Sequence, residues 1–274
     1  LFIDPEVIWA TYYGGSNYDR GAAVATDRLG NVYLTGHSNS TSNIASGGHQ
    51  NILGGSFDVF LVKFNSNGVR QWATYYGGSG HDSPGSVATD DLGNIYLAGI
   101  TYSTTGIAVG GHQNTFAGKS DAFLVKFNTA GVRLWGTYYG GSDVDQGYSV
   151  ATDELNNVYL AGYTRSTDGI AWFGHNNTFA GYVDAFLVKF NGSGVRQWAT
   201  YYGGTDYDSD PCVATDNEGN VYLSGITESS DGIAYNGHQN THAGLWDVFL
   251  VKFNAAGVRL WATYYGGEAT EMVV

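Results

Sequence analysis

Histidine recurs at His49, His112, His175 and His238, each 63 residues after the one before. Aspartate keeps the same interval at Asp19, Asp82, Asp145 and Asp208. An imidazole can ligate a metal, carry a proton or hydrogen-bond a ligand. Carboxylates in glycine-rich loops can hold Ca²⁺. The residues just before each His vary: Ser46-Gly47, Val109-Gly110, Trp172-Phe173 and Tyr235-Asn236. Exposed Trp172, Phe173 or Tyr235 would stack on sugar rings or apolar groups. These three aromatics and the four His are the candidate ligand contacts, and the four Asp are candidate Ca²⁺ ligands. Each set has a plainer use. A His beside Gly in a compact loop commonly hydrogen-bonds its own backbone, and an Asp commonly caps its own turn. The spacing D-x-[DN]-x-[DN]-G of a full Ca²⁺ loop does not occur.

Catalysis has less to stand on. Acid–base chemistry needs neighbouring groups in different environments, and a strict repeat supplies like environments. No G-x-S-x-G elbow, H-E-x-x-H pair or phosphate-binding glycine loop is present. The net charge of −13 argues against a nucleic-acid partner, since phosphate binding needs clustered Lys and Arg. It also speaks against an anionic membrane surface. No apolar run approaches the roughly 20 residues of a spanning helix, so membrane insertion is not expected. The one cysteine, Cys212, excludes an intrachain disulfide. It aligns with Ala23, Ser86 and Ser149, where a small residue is wanted, and is expected to be a buried thiol.

The elements that position these residues follow from the same period. Trp9, Trp72, Trp135, Trp198 and Trp261 keep it, as do Lys63, Lys126, Lys189 and Lys252. The chain of 274 residues is therefore four units, about 14–76, 77–139, 140–202 and 203–265, read as one domain over 1–274. Gly (41) and Tyr (21) are abundant, so tight turns and strands are expected rather than helices. Alternation and turn signals mark four strands per unit. In the first unit these are A (Ala22 to Thr26), B (Val32 to Ser38), C (Asp58 to Asn65) and D (Val69 to Tyr76). Asn67-Gly68 is a hairpin signal between C and D. The expected fold is all-β: a β-propeller with four blades of four antiparallel strands. Strand A, built of small residues, belongs near the axis, and the aromatics of C and D fill the space between blades. In a meander the B–C and D–A loops share one face, and any ligand site is expected there. Five copies of strand D stand against four of A, B and C. One terminal copy, Ile8 to Tyr13 or Arg259 to Tyr265, is expected to complete the blade at the opposite end.

The segments "GNVYLTG", "DVFLVKFNSNGVRQWATYYGG" and "SVATD" resemble the SBBP-type β-propeller repeat of bacterial secreted and surface proteins. The resemblance runs from about Trp9 to Gly267. It implies a propeller and an extracellular or cell-surface setting, and it carries no catalytic residues. The first functional expectation is a non-enzymatic binding or adhesion module with repeated loop sites, whose partner is a glycan or a cell-surface protein. Repeated weak sites gain by avidity. The alternatives are a structural spacer in a larger surface protein and a hydrolase with a site at the ring mouth. Monomer and homo-oligomer are both open, including two chains that build an eight-bladed ring.

Overall fold

The structure is a computed structural model that describes residues 6–270. It contains sixteen strands and, among the described residues, no helix. The first sheet is β1 (Asp19–Thr26), β2 (Val32–Ser38), β3 (Asp58–Phe64) and β4 (Arg70–Tyr76). The second is β5 (Asp82–Thr89), β6 (Ile95–Thr101), β7 (Asp121–Phe127) and β8 (Arg133–Tyr139). The third is β9 (Asp145–Thr152), β10 (Val158–Thr164), β11 (Asp184–Phe190) and β12 (Arg196–Tyr202). The fourth is β13 (Asp208–Thr215), β14 (Val221–Thr227), β15 (Asp247–Phe253) and β16 (Arg259–Tyr265). Each sheet is an antiparallel meander in chain order. These are the four blades of a β-propeller, with strand A three residues longer at its start than the alternation implied.

Side chains of the turns set the register. Asp27 accepts the N–H groups of Leu29 and Asn31 at 2.9 Å, which closes the A–B turn. Asn65 closes the C–D turn through the N–H groups of Asn67 and Val69. Only Gly68 takes a positive φ there, so the turn spans Asn65 to Val69.

Consecutive blades meet through one recurring junction. Strand A is innermost, and the Thr89 hydroxyl donates to the Thr26 carbonyl oxygen across it, as Thr152 does to Thr89 and Thr215 to Thr152. At the outside, the Trp of strand D crosses to the next blade. Trp72, Trp135 and Trp198 donate their indole N–H to the carbonyls of Thr129, Gly192 and Ala255 at 3.0–3.2 Å. Between these edges Val59, Leu61, Trp72 and Tyr76 pack on Ile95, Leu97, Phe123, Val125 and Phe127. The three Trp are buried, as the aromatic-core reading requires.

The junction is made three times and not a fourth. Val87, Val150 and Val213 of strand A are buried, but their counterpart Val24 in blade 1 is 64% exposed. The blades therefore form an arc whose first and last members do not pack on each other. This corrects the expected exchange of a terminal strand. β16 completes its own blade, and residues 8–13 pair with no sheet among the described residues. It also leaves Cys212 exposed, against the expected burial, with its sulfur 3.8 Å from the Ser149 hydroxyl of blade 3.

Candidate functional site

The periodic carboxylates are caps. At the start of β5, Asp82 accepts the Gly78 N–H at 2.9 Å and the hydroxyls of Thr101 and Ser103. Asp145 accepts from Gly141, Thr164 and Ser166. Asp208 accepts from Gly204 and Ser229, and Asp19 from Gly15, Ser38 and Ser40. A second set at the start of strand C does likewise: Asp58 accepts from Gly54, Gly55 and Gln50. The two sets meet at the junctions. A Cβ placed on Gly77 would lie 2.6 Å from Asp82 and 2.7 Å from Asp58, so only glycine fits between them. Burial pushes Asp58, Asp121, Asp145 and Asp184 up to about 6 and Asp208 up to about 7. The neighbouring carboxylate adds to this at Asp58, Asp121 and Asp208. Asp19, Asp82, Asp145 and Asp208, the candidate Ca²⁺ ligands, thus serve in the structure as caps of their own loops. Their oxygens accept N–H and O–H donors, except Asp208 Oδ1, which is buried without a hydrogen-bond partner, and no three His, Cys, Asp or Glu converge on a metal-sized site among the described residues.

The periodic His reach across the junctions. The ring of His49 lies 6.2 Å from that of Phe127, His112 6.1 Å from Phe190, and His175 6.0 Å from Phe253. Burial against the next blade, aided by Arg133, Arg196 and Arg259 respectively, holds all three below the usual imidazole range. Their rings are neutral packing pieces at pH 7. None of the four hydrogen-bonds its own loop among the described residues, and His238 has no following blade to rest on.

The long B–C loop turns back along the outer edge of strand D. Trp172 and Ala199 exchange both N–H···O bonds at 2.9 Å, and Tyr235 does the same with Ala262 at 2.8 Å. Ile44, Ile107, Ile170 and Ile233 plug the loop onto its blade and are fully buried. The loop thereby covers an edge that would otherwise offer free backbone groups. Trp172, Phe173 and Tyr235 are exposed, but they stand at mid-strand on the outer rim, not on the face shared with the D–A loops. That placement corrects the meander argument, which assigned the whole loop to one face. Arg196 lies over the Trp172 ring at 5.1 Å, and Arg259 over Tyr235 at 4.7 Å. A shallow groove beside Trp172 is lined by His112, Gly194, Val195 and Arg196.

Phe173 is the outlier of this rim. Its φ is +50°, in the left-handed region where a bulky side chain is strained. The same position holds Gly47 and Gly110 in the first two repeats, also at positive φ. The fold asks for a glycine conformation, and the third repeat places a phenylalanine there, 77% exposed and edge-on to Trp172 at 4.6 Å.

A second aromatic group was not anticipated. Tyr18 stacks on His37 at 5.8 Å, and His81 stacks on Tyr102 at 6.3 Å. Phe57 sits between the pairs, 5.7 Å from His37 and 5.3 Å from His81. These residues break the repeat: His37 aligns with Ile100, Tyr163 and Ile226, and Phe57 with Ser120, Val183 and Trp246. A search for periodic residues passes over them, whereas a search for departures from the period would find them.

On the short-turn side, a groove of about 420 Å³ opens between blades 1 and 2. It is lined by Asp27, Arg28, Leu29, Lys63, Asp90 and Thr129 among others. Its charged groups bond to the protein. Lys63 donates to the Thr129 carbonyl, Asp27 accepts from Asn31 and Tyr33, and Asp90 accepts from Asn94 and Tyr96.

The β-propeller repeat model SBBP matches residues 8–44, 71–109, 134–170 and 197–232. Among curated proteins, the chain is 24% identical to an uncharacterized WD repeat-containing protein of Acanthamoeba polyphaga mimivirus, over 98% of this chain and 24% of that protein. It is 25% identical to the regulatory protein FlaEY of Caulobacter vibrioides, over 74% of this chain and 22% of that protein. The chain thus spans about a quarter of the length of these relatives. Among solved structures, a Dyadobacter fermentans protein of unknown function is similar with a TM-score of 0.47 and 12% identity, over 95% of this chain and 67% of that one. A GH43_12 from a capybara gut metagenome gives 0.39 and 11%, over 89% of this chain and 41% of that one.

Proposed function

Because the chain belongs to the SBBP β-propeller repeat family, we propose that it serves outside the cell as a non-enzymatic binding module whose ligand is a surface glycan. The observation that carries this reading is Phe173. A strained, exposed aromatic where the other repeats use Gly47, Gly110 and Asn236 is a local loss of stability. Together with Trp172 it presents two rings at right angles, and such rings suit the C–H faces of sugars. Arg196 and His112 stand beside them as hydrogen-bonding groups. The absence of catalysis is argued from the carboxylates, whose oxygens hold the loops in every repeat. The periodic His and Asp, used as packing and caps, favour a second reading: a scaffold whose recognition, if any, is confined to this rim.

The test is a glycan array probed with the wild type and with the double variant W172A/F173G. Phe173→Gly keeps the fold by restoring the residue of the first two repeats. Loss of signal in the variant supports the rim site. Equal binding by both removes it, and a wild type that binds no glycan leaves the scaffold reading.

A further inference from the structure

On the face of the long loops, several residues of repeats 3 and 4 depart from the period. Tyr148 aligns with Ala22, Gly85 and Pro211, and Tyr163 with His37, Ile100 and Ile226. Tyr182 aligns with Ser56, Lys119 and Leu245. Acids appear there as well. Asp143 and Asp206 stand where repeats 1 and 2 have Asn17 and Gly80, and Asp168 and Asp231 where they have Ser42 and Thr105. Asp210 takes the place of Gly21, Pro84 and Gly147.

The tyrosines line the junction between blades 3 and 4, which the chain completes by itself. Trp198 of blade 3 covers Gly257 of blade 4, and the Tyr202 hydroxyl donates to the Ile233 carbonyl at 2.7 Å. Toward the axis, the rings of Tyr148 and Tyr163 lie 5.6 Å apart. Asp210 faces this pair from blade 4. Burial raises the Tyr148 hydroxyl first, and the neighbouring Tyr163 and the Asp210 charge add to it. Farther out, Tyr182 of blade 3 stacks on Tyr207 of blade 4 at 5.8 Å, with the rings 19° from parallel. Tyr182 is 67% exposed, and its N–H donates to the Asp206 carbonyl.

Charge selects what these rings can hold. Lys119 and Arg165, on the same face, are met by Asp143, whose carboxyl they hold below the usual carboxylate range. Asp168 and Asp231 accept the N–H groups of Ser142 and Thr205. The side chains of Asp206 and Asp210 accept no hydrogen bond and enter no ion pair among the described residues. Two free carboxylates beside two tyrosine pairs match a guanidinium group, which stacks flat on aromatic rings and bonds a carboxylate through two N–H groups at once.

We propose that this tyrosine-lined junction docks an arginine-bearing segment of a partner protein, its guanidinium groups stacked on the tyrosines and paired with Asp206 and Asp210. The two carboxylates lie on one strand start, so an extended segment meets both. The inference is independent of the glycan reading, which concerns the rim around Trp172.

The probe is a fluorescein-labelled hexa-arginine peptide, followed by fluorescence polarisation against the wild type and against variants whose denaturant midpoints match it. D206N/D210N is expected to weaken binding about tenfold. E154Q/E218Q removes the same charge from the short-turn face and should change binding less than about twofold. Y182A/Y207A leaves the charge alone and should weaken binding about fivefold. Hexa-lysine should bind less tightly than hexa-arginine. Equal losses in D206N/D210N and E154Q/E218Q would assign the binding to net charge and overturn the proposal. A wild type that does not bind the peptide, or full binding by Y182A/Y207A, would overturn it too. A glycan signal of the wild type that disappears in Y182A/Y207A would make the junction a sugar site and overturn the arginine assignment.

Discussion

The junction between blades 2 and 3 and the open side of blade 4 contain nearly the same residues in different surroundings. Tyr139 is buried and bonded to Ile170, whereas Tyr265, two repeats on, stands in water. Ser149 is buried and Cys212 is exposed. Residue type alone does not decide burial in a repeat; the presence of the next unit does. Stability in such arrays is a sum of unit terms and neighbour terms. This chain displays both at positions 63 residues apart, so each neighbour term can be measured by difference.

The largest difference is expected at the tryptophans. Trp135→Ala removes a buried indole, its cover over Gly194 and its bond to the Gly192 carbonyl, and should cost about 3–5 kcal/mol. Trp261→Ala, at a half-buried indole packed on Tyr222, should cost less, about 1–2 kcal/mol. Denaturant melts compare the two directly. Equal losses would show that Trp261 is already covered in solution.

The carboxylate pairs exist only at junctions and should make stability fall as pH rises. Asp121 and Asp145 flank Gly140 and are raised to about 6, above the value near 3.9 of an unfolded aspartate. Between those values the folded state binds more protons than the unfolded one. The stabilising contribution is therefore full below about pH 4 and lost as pH climbs through 6 to 7. The loss is on the order of 3 kcal/mol for each raised carboxylate. Melting temperature should be higher at pH 5 than at pH 8, and Asp121→Asn should flatten the profile. A profile that rises from pH 5 to pH 8 would show that the donors around these carboxylates outweigh burial.

Removing one hydroxyl should separate the regions on a finer scale. Tyr139→Phe strips the donor from the buried Ile170 carbonyl and should cost about 1–2 kcal/mol. Tyr265→Phe should be neutral within about 0.5 kcal/mol. The readout is again the difference in denaturant midpoints, and a matching loss in both variants would erase the distinction between made and open junctions.

What could be read from the amino-acid order followed the local physics. Asp27 and Asn65 made the turns, alternation placed Phe60, Val62 and Phe64 on one face of strand C, and the 63-residue period counted the blades. The A strands proved innermost because small residues such as Gly85 and Ser149 allow them to approach. What could not be read depended on how blades meet. The period that announced Asp82 and Asp58 separately did not say that they share Gly77. The loop length that flagged Trp172 did not say that the loop runs back along strand D. Cys212 was misplaced for the same reason, since its contact with Ser149 of blade 3 covers only part of it. The group of Tyr18, His37, Phe57, His81 and Tyr102 escaped because its members are the exceptions to the period.

The smallest expected effect lies at the rim, where the third repeat departs from the first two. Phe173 occupies a left-handed backbone position that costs a residue with a Cβ roughly 1–2 kcal/mol. Phe173→Gly relieves that strain, but it gives up the edge contact with Trp172 and adds backbone freedom to the unfolded chain, which offsets part of the gain. The net expectation is a stabilisation of about 0.5–1 kcal/mol, seen as a raised denaturant midpoint with an unchanged slope. The control is Gly110→Phe, which installs the same residue at the same φ in the second repeat and should destabilise by a similar amount. If Phe173→Gly is instead destabilising, the phenylalanine contributes to folding through its contact with Trp172, and its strain is no longer a sign of ligand recognition. If it stabilises the fold while weakening glycan binding, the third repeat trades stability for a surface that the first two repeats do not present.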